Sequence, residues 1–339
     1  MGAHGRQAVV SSARITVCVP TIGRMEYLPK TQSSLRAQKV KDVDVVILDN
    51  GSGAEAQAFV DQWAASDRNV RVIRNDPRIP MLENFNLGIR AAKTEYVTFF
   101  HDDDEYRPDF IEKLVALLDA NPSAGLAGSN VDFIDEDGNL TEQRRWVAHD
   151  VLLSRREYVQ RLIERGRNLI QMPGLVFRRE ILGDGFDTSL PIYYGDFIML
   201  MRYSEQSDIA ILAEPVMRVR RHAKQASTMV PLSRGIPIRT RLLLGYLDEY
   251  GQRYPEDKDM VRRLRRRVTL AHRVALVWGW ASAKSLDESQ ACVSSLRQTP
   301  VGAALSLSLG GAAALGLRPH RVTSRGLSLV RQLAERLRF

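Results

Sequence analysis

Four short apolar runs in the first hundred residues restrict the fold more than any other feature. Each is rich in β-branched or aromatic side chains and each is followed by a stretch with helical spacing. Arg14-Ile15-Thr16-Val17-Cys18-Val19 stops at Pro20, and residues 27–38 then read as a helix. Residues 43–48 form a second run, closed by the turn residues Asp49-Asn50-Gly51-Ser52-Gly53, before a helix over 54–65. Val70-Arg71-Val72-Ile73 and a helix over 82–92 come next, then an apolar run over 95–100. Pro108 opens a helix over 109–119, since proline suits the first helical turn. Near-continuous apolar strands that alternate with helices predict an α/β fold, a mostly parallel central sheet with helices on both faces. In such a sheet the loops after the strands leave one edge, where ligands bind.

Past Ala124-Gly125-Leu126-Ala127-Gly128 the pattern changes. Val131-Asp132-Phe133-Ile134, a polar turn over 135–139 and the residues from Leu140 onward read as a hairpin. Residues 170–177 and 214–219 read as further strands, and from about 238 the chain reads as helical. There is no internal repeat, and the one biased tract is the Ala/Gly/Leu segment over 301–317.

A chain of 339 residues, 44% hydrophobic and 26% charged, buries a substantial core. Its two cysteines, Cys18 and Cys292, lie far apart in apolar surroundings. They form neither a disulfide framework nor a metal-ligand spacing, so a reducing, cytoplasmic setting is expected. Residues 1–13 read as a disordered leader without an export signal, and residues 301–317 are too weakly apolar for a membrane span. Charge is placed unevenly. Residues 236–339 hold 18 Lys+Arg against 8 Asp+Glu, a net of +10, while the remainder (30 basic, 32 acidic) carries −2. A basic helical C-terminal region over 236–339 suggests an anionic surface as partner.

The fourth strand ends in His101-Asp102-Asp103-Asp104. Adjacent carboxylates repel, and a divalent cation with oxygen ligands, Mg²⁺ or Mn²⁺, relieves that repulsion. A solvated acidic turn ahead of the next helix is the plainer reading. The loops Pro20-Thr21-Ile22-Gly23-Arg24 and Asp49-Asn50-Gly51-Ser52 leave the same edge of a parallel sheet. Thr21, Asn50 and Asp102 then offer donors and acceptors for a nucleobase and ribose, and Asp103 a metal ligand for a diphosphate. Neither glycine-rich nucleotide-binding signature occurs, so a metal bridging carboxylate to diphosphate is the physical substitute.

At these residues the chain resembles the family 2 glycosyltransferases, an inverting family with a GT-A-type fold. The matching pieces are residues 15–21, 45–52, 86–89 and 95–104 with Pro108, then Tyr194-Gly195-Asp196-Phe197 and residues 220–227, so the resemblance covers about 14–228. It implies a glycosyltransferase domain over 14–235, with a nucleotide-binding half over about 14–130 and an acceptor half over about 131–235. It implies that Pro20, Thr21, Arg24, Asp49, Asn50, Asn86, Asp102 and Asp103 face the nucleotide-sugar. Asp103, Asp104 and His222 would face the metal, and Asp196 would be the general base. The implied activity is transfer of a hexosyl or N-acetylhexosaminyl group from a UDP-, dTDP- or GDP-linked donor to a glycan or lipid-linked acceptor, in cell-envelope polysaccharide or glycolipid synthesis.

Each residue has a plainer reading. Asp49 or Asn50 caps the helix that begins near 54, and Asp196 caps the one ahead of Phe197. His222, Arg24 and Arg78 are solvated surface groups, and Trp146, Tyr193 and Tyr194 pack in the core or at a rim. Arg262 to Arg267 holds five arginines, and Leu327, Val330, Ala334 and Leu337 recur at helical spacing. That stripe suits an anionic membrane or a buried contact with the enzyme or a second subunit, as in a homodimer. A nucleotidyltransferase is the nearest rival enzyme. A non-catalytic glycan- or nucleic-acid-binding module is a rival of another class, but no aromatic-interleaved basic motif occurs and no nucleic acid is expected.

Overall fold

The computed structural model describes residues 13–191, 194–222, 232–282 and Cys292. The expected leader, apart from Ala13, the 301–317 tract and the terminal stripe lie outside the described residues. In chain order the elements are β1 (Ile15–Thr21), α1 (Leu28–Arg36), β2 (Asp44–Asn50), α2 (Ala54–Ser66), β3 (Val70–Asn75), α3 (Met81–Ala91) and β4 (Tyr96–Phe99). Then come β5 (Glu105–Tyr106), α4 (Phe110–Ala120), β6 (Ala124–Ser129), β7 (Val131–Ile134), β8 (Leu140–Arg144), β9 (Val151–Leu153), α5 (Arg155–Arg165), β10 (Val176–Arg178) and α6 (Arg179–Leu182). The remainder are α7 (Gly195–Ser204), β11 (Asp208–Leu212), β12 (Met217–Arg220), α8 (Leu232–Arg253) and α9 (Lys258–Ser282).

These elements divide into two compact units. One holds the residues up to Leu153 with Ile170–Ser189 and Glu205–His222. It contains every described strand. Its main sheet runs β3-β2-β1-β4-β10-β6-β11-β9, and a smaller sheet runs β5-β12-β7-β8. The first four strands are parallel, as their near-continuous apolar runs predict, and β1 is buried at every position. Their side chains, Ile15, Val17, Val19, Val45 and Ile47 among them, join Leu28, Trp63 and Phe110 in one core.

Beyond β4 the main sheet, mostly parallel as expected, takes in antiparallel pairs. β10 inserts antiparallel between β4 and β6, and β9 closes the edge antiparallel to β11. The apolar stretch 170–177 is not one strand, because a 3-10 turn over Met172–Gly174 interrupts it and only Val176–Arg178 pairs. Ala124-Gly125-Leu126-Ala127-Gly128 is a fully buried strand, although small residues have low β propensity. Crowding explains the choice of residue. A Cβ on Gly128 would lie 2.8 Å from Ile170 Cγ2 and from Leu175 Cδ2. The hairpin over 131–144 forms as expected.

The other unit is helical and comprises Ser154–Leu169, Leu190–Ser204 and the described residues from Leu232 on. It therefore takes α5 and α7 from the middle of the chain, segments that the sequence places within an acceptor half. Ser154 and Glu157 form a capping box at the start of α5, and Gly166 ends it in a left-handed conformation. Tyr158, Val159 and Leu162 of α5, Leu200 and Met201 of α7, Leu247 and Tyr250 of α8, and Met260 and Leu264 of α9 are buried. Arg239 of α8 donates to the Gly166 carbonyl at 3.2 Å, and Arg267 of α9 donates to the Glu164 carbonyl. The 236–282 helices are thus packing partners of α5 and α7. Among the described residues no helix is long and apolar enough to cross a membrane.

Candidate active site

Because β1, β2 and β4 are parallel, the loops after Thr21, Asn50 and Phe99 leave one edge of the sheet. Two of these loops are tied together by side chains. The Thr21 hydroxyl accepts from the Gly23 N–H at 2.9 Å and donates to Asp102 Oδ2 at 2.7 Å. Arg24 donates to Asp102 Oδ1 at 2.7 Å and reaches Asp103 Oδ2 at 3.4 Å. From the end of β12, His222 Nε2 approaches the same Asp103 Oδ2 at 3.1 Å. One guanidinium thus faces two carboxylates that would otherwise repel, which is where a cation would act.

Burial pushes the Asp102 carboxyl up, an effect that Arg24 opposes and Asp103 reinforces. Asp104 is pushed well above the usual carboxylate range, first by burial and then by the charge of Asp103. Burial holds the His101 imidazole below its ordinary value, so it stays neutral and keeps a lone pair. Its ring meets Phe85 edge-on at 5.6 Å, and its Nε2 is buried with no hydrogen-bond partner among the described residues. One ligand atom each from His101, Asp103 and Asp104 lies within 4.8 Å of the others. An orphaned imidazole nitrogen beside carboxylate oxygens is a donor set that Mn²⁺ or Mg²⁺ accepts, so the residues fit the expected ion.

Other expected contacts are engaged in holding backbone. Asn50 spends both ends of its amide on Ile79, donating to its carbonyl and accepting from its N–H at 2.9 Å each. Asn86 does the same with Phe186, at 2.9 and 2.6 Å. Asp49, fully buried, accepts from the Ser52 N–H at 3.2 Å and from Arg74 Nε at 2.7 Å. Pro20 lies inside β1 opposite Leu48, and Arg78 donates to the Asn50 carbonyl at 3.1 Å. These residues shape the loops at the strand ends. Trp146 is buried rather than presented at a surface, and Tyr193 lies outside the described residues.

Asp196 belongs to the helical unit, in the first turn of α7. It is inside the helix rather than at its cap position. Its carboxylate accepts from the Asn168 amide, and burial pushes its pKa up to about 6 against opposing backbone N–H donors of Phe197 and of Asp196 itself. The buried Tyr158 hydroxyl has no hydrogen-bond partner among the described residues, and burial, then the charge of Asp196, push its pKa up.

Sequence reasoning missed three residues near the acid loop. His101 carried a signal, since an imidazole directly before three carboxylates is itself a ligand type. Tyr27 and Arg220 carried none. The Tyr27 ring lies 5.5 Å from that of His222, and the Arg220 guanidinium lies 5.1 Å from the Tyr27 ring. Only the fold brings residues about 200 positions apart into that stack.

The family model described as glycosyl transferase family 2 matches residues 16–186, half of the chain. The glycosyltransferase GlyG of Streptococcus pneumoniae serotype 4 is 26% identical over 129 residues, 38% of this chain and 43% of that protein. The abequosyltransferase RfbV of Salmonella typhimurium is 25% identical over 177 residues, 49% of this chain and 53% of that protein. The chain thus matches about half the length of these curated relatives. Among solved structures, S. aureus TarS 1–349 in complex with UDP-GlcNAc has a TM-score of 0.62 at 14% identity, covering 95% of this chain and 90% of that one. The mannosyltransferase PcManGT of Pyrobaculum calidifontis, in complex with GDP-Man and Mn²⁺, has a TM-score of 0.53 at 16% identity, covering 96% and 84%.

Proposed function

The chain belongs to glycosyl transferase family 2, and from that premise we propose that it moves a sugar from a nucleoside-diphosphate donor to an acceptor hydroxyl, with inversion and with a divalent cation at the acid loop. The observation that carries the reading is the convergence of Thr21, Arg24, Asp103 and His222 around one group of carboxylates at the carboxyl edge of parallel strands. Open α/β sheets bind ligands at that edge. The donor class is supported by the two structural neighbours, which hold UDP-GlcNAc and GDP-Man.

Asp103, with His101 and His222 beside it and Asp104 in reach, is the proposed cation ligand. When bound, the ion would neutralise charge developing on the departing diphosphate. Thr21 and Asp102 would hold the nucleoside, and Arg24 would face the phosphates. In the transfer, the acceptor oxygen bonds to the anomeric carbon as the bond from that carbon to the diphosphate breaks on the opposite face. The acceptor proton passes to the Asp196 carboxylate, and the nucleoside diphosphate leaves. A carboxyl with a pKa of about 6 is largely ionised at neutral pH yet basic enough to accept that proton.

A glycan or lipid-linked acceptor fits the relatives, one of which is a glucosyltransferase of Campylobacter jejuni whose name gives an undecaprenol-linked glycan. Arg262, Arg263 and Arg266 on α9 are exposed and supply a basic surface for peripheral contact with an anionic membrane. Thermal melts with UDP, dTDP and GDP, each with and without Mn²⁺, test the donor and ion together. A native-state ligand at about 100 times its Kd adds roughly 2.7 kcal/mol. The expected result is a Mn²⁺-dependent rise with one nucleotide. No rise with any of them would remove the reading.

A further inference from the structure

We propose that Arg220 is a positioning residue that builds the cation site, using Asp104 as an internal anchor so that Asp103, with His101 and His222 beside it, is left to meet the ion. The inference rests on the reading that the acid loop binds a divalent cation.

Arg220 ends β12 and is 1% exposed. A buried guanidinium is costly unless its donors are matched, and here four of its N–H groups are accounted for. Nε donates to the Asp103 carbonyl at 3.0 Å. Nη1 donates to the carbonyls of Asp135 and Glu136 at 2.8 and 2.9 Å. Nη2 donates to Glu105 Oε1 at 2.6 Å. One side chain therefore ties the acid loop at Asp103 and Glu105 to the turn between β7 and β8. A lysine ammonium could not serve partners that diverge in this way.

The backbone completes the clamp. The Arg220 N–H donates to Asp104 Oδ1 at 2.8 Å, so one oxygen of that carboxylate is occupied inside the protein. The next residue, Arg221, donates its N–H to the Ile134 carbonyl at 2.8 Å. Together these bonds set the register of the chain that carries His222 to Asp103. The Arg220 guanidinium also lies beside Tyr27, whose ring in turn faces His222. Asp103 thus has its carbonyl held by Arg220 and its carboxylate turned toward His222 and Arg24. Asp104 has a structural duty that Asp103 lacks.

Groups that orient metal ligands contribute about 10–100-fold to metal affinity. The test measures Mn²⁺ affinity of the full chain by electron paramagnetic resonance, with the nucleoside diphosphate that gives the largest thermal shift. Arg220→Lys and Glu105→Ala should each weaken Mn²⁺ binding by about 10-fold or more while melting cooperatively. Glu105 is partly exposed, so its variant keeps the test open if Arg220→Lys does not fold. Asp104→Asn, which retains an oxygen to accept the Arg220 N–H, should lose less than about threefold, against at least about 10-fold for Asp103→Asn. Wild-type affinity in Glu105→Ala and in any folded Arg220→Lys, or equal losses in the two aspartate variants, would overturn the inference. A wild-type chain that binds no Mn²⁺ would instead remove the cation reading, and the inference with it.

Discussion

Asp196→Asn should make the protein more stable and less active, with both effects confined to one pH window. The carboxyl is held by Asn168 and backbone N–H groups, yet burial outweighs them and raises its pKa from 3.8 to about 6. A raised carboxyl binds its proton more tightly in the folded chain than in the unfolded one. Its contribution to stability is therefore complete below about pH 4 and is lost as pH rises through about 6. About two pKa units at ~1.4 kcal/mol each put the cost of ionising it near 3 kcal/mol. Asparagine does not ionise, so at pH 7.5 the variant should gain up to about 3 kcal/mol, less what its amide loses at the N–H groups of α7. That corresponds to a rise of several degrees in melting temperature, and the difference should vanish near pH 4. Activity should move the other way. The wild-type rate constant kcat/KM should climb tenfold per pH unit below about 6 and level off above it, and the variant should lose at least about 10²-fold. Melts by circular dichroism at pH 4, 5, 6 and 7.5, with initial rates across the same range, read both quantities. A variant that melts lower than wild type by the same margin at pH 4 and 7.5 would refute the reasoning, since Asp196 would then be holding the start of α7. A rate profile without a limb near pH 6 would place the base elsewhere.

Asp103→Asn should abolish turnover and Mn²⁺-dependent nucleotide binding with little change in melting temperature; full activity of the wild type in excess chelator would contradict this. Gly88→Ala should cost about 1–3 kcal/mol in urea unfolding, because a Cβ there would lie 2.8 Å from Cys18 Sγ and 2.9 Å from Leu48 Cδ1, forcing α3 off the sheet; a loss under about 0.5 kcal/mol would mean that the helix shifts freely. The triple change Arg262→Glu, Arg263→Glu and Arg266→Glu should abolish sedimentation with anionic liposomes at low salt, and wild-type binding should weaken as salt screens the surface. Wild-type protein that ignores such liposomes would leave α9 as a packing element alone.

Much of this was legible in the chain because it depends on local pattern. A near-continuous run such as Val45-Val46-Ile47-Leu48 has nowhere to go but a doubly covered strand, and a helix between two such runs makes them parallel. Parallel strands send their following loops to one edge, as the order of elements implies, and the pairing of β1 with β4 then brings Thr21 to Asp102. The chain could not disclose what depends on partners distant in sequence. Residues 124–129 form a strand between β10 and β11 despite their small side chains, and Ile170 and Leu175 leave no room for a larger one at Gly128. Asn50 ends β2 and Asn86 lies within α3, both polar and both matched by the family resemblance, yet their amides are engaged by Ile79 and Phe186, 29 and 100 residues away. Arg220 reads as one more arginine in a basic stretch until folding buries it behind Asp103 and Asp104. Periodicity reports which face of an element is apolar, and it is carried by neighbours a few residues apart. Which polar atom remains free to meet a ligand is decided by desolvation and by hydrogen-bond partners that only the tertiary fold supplies.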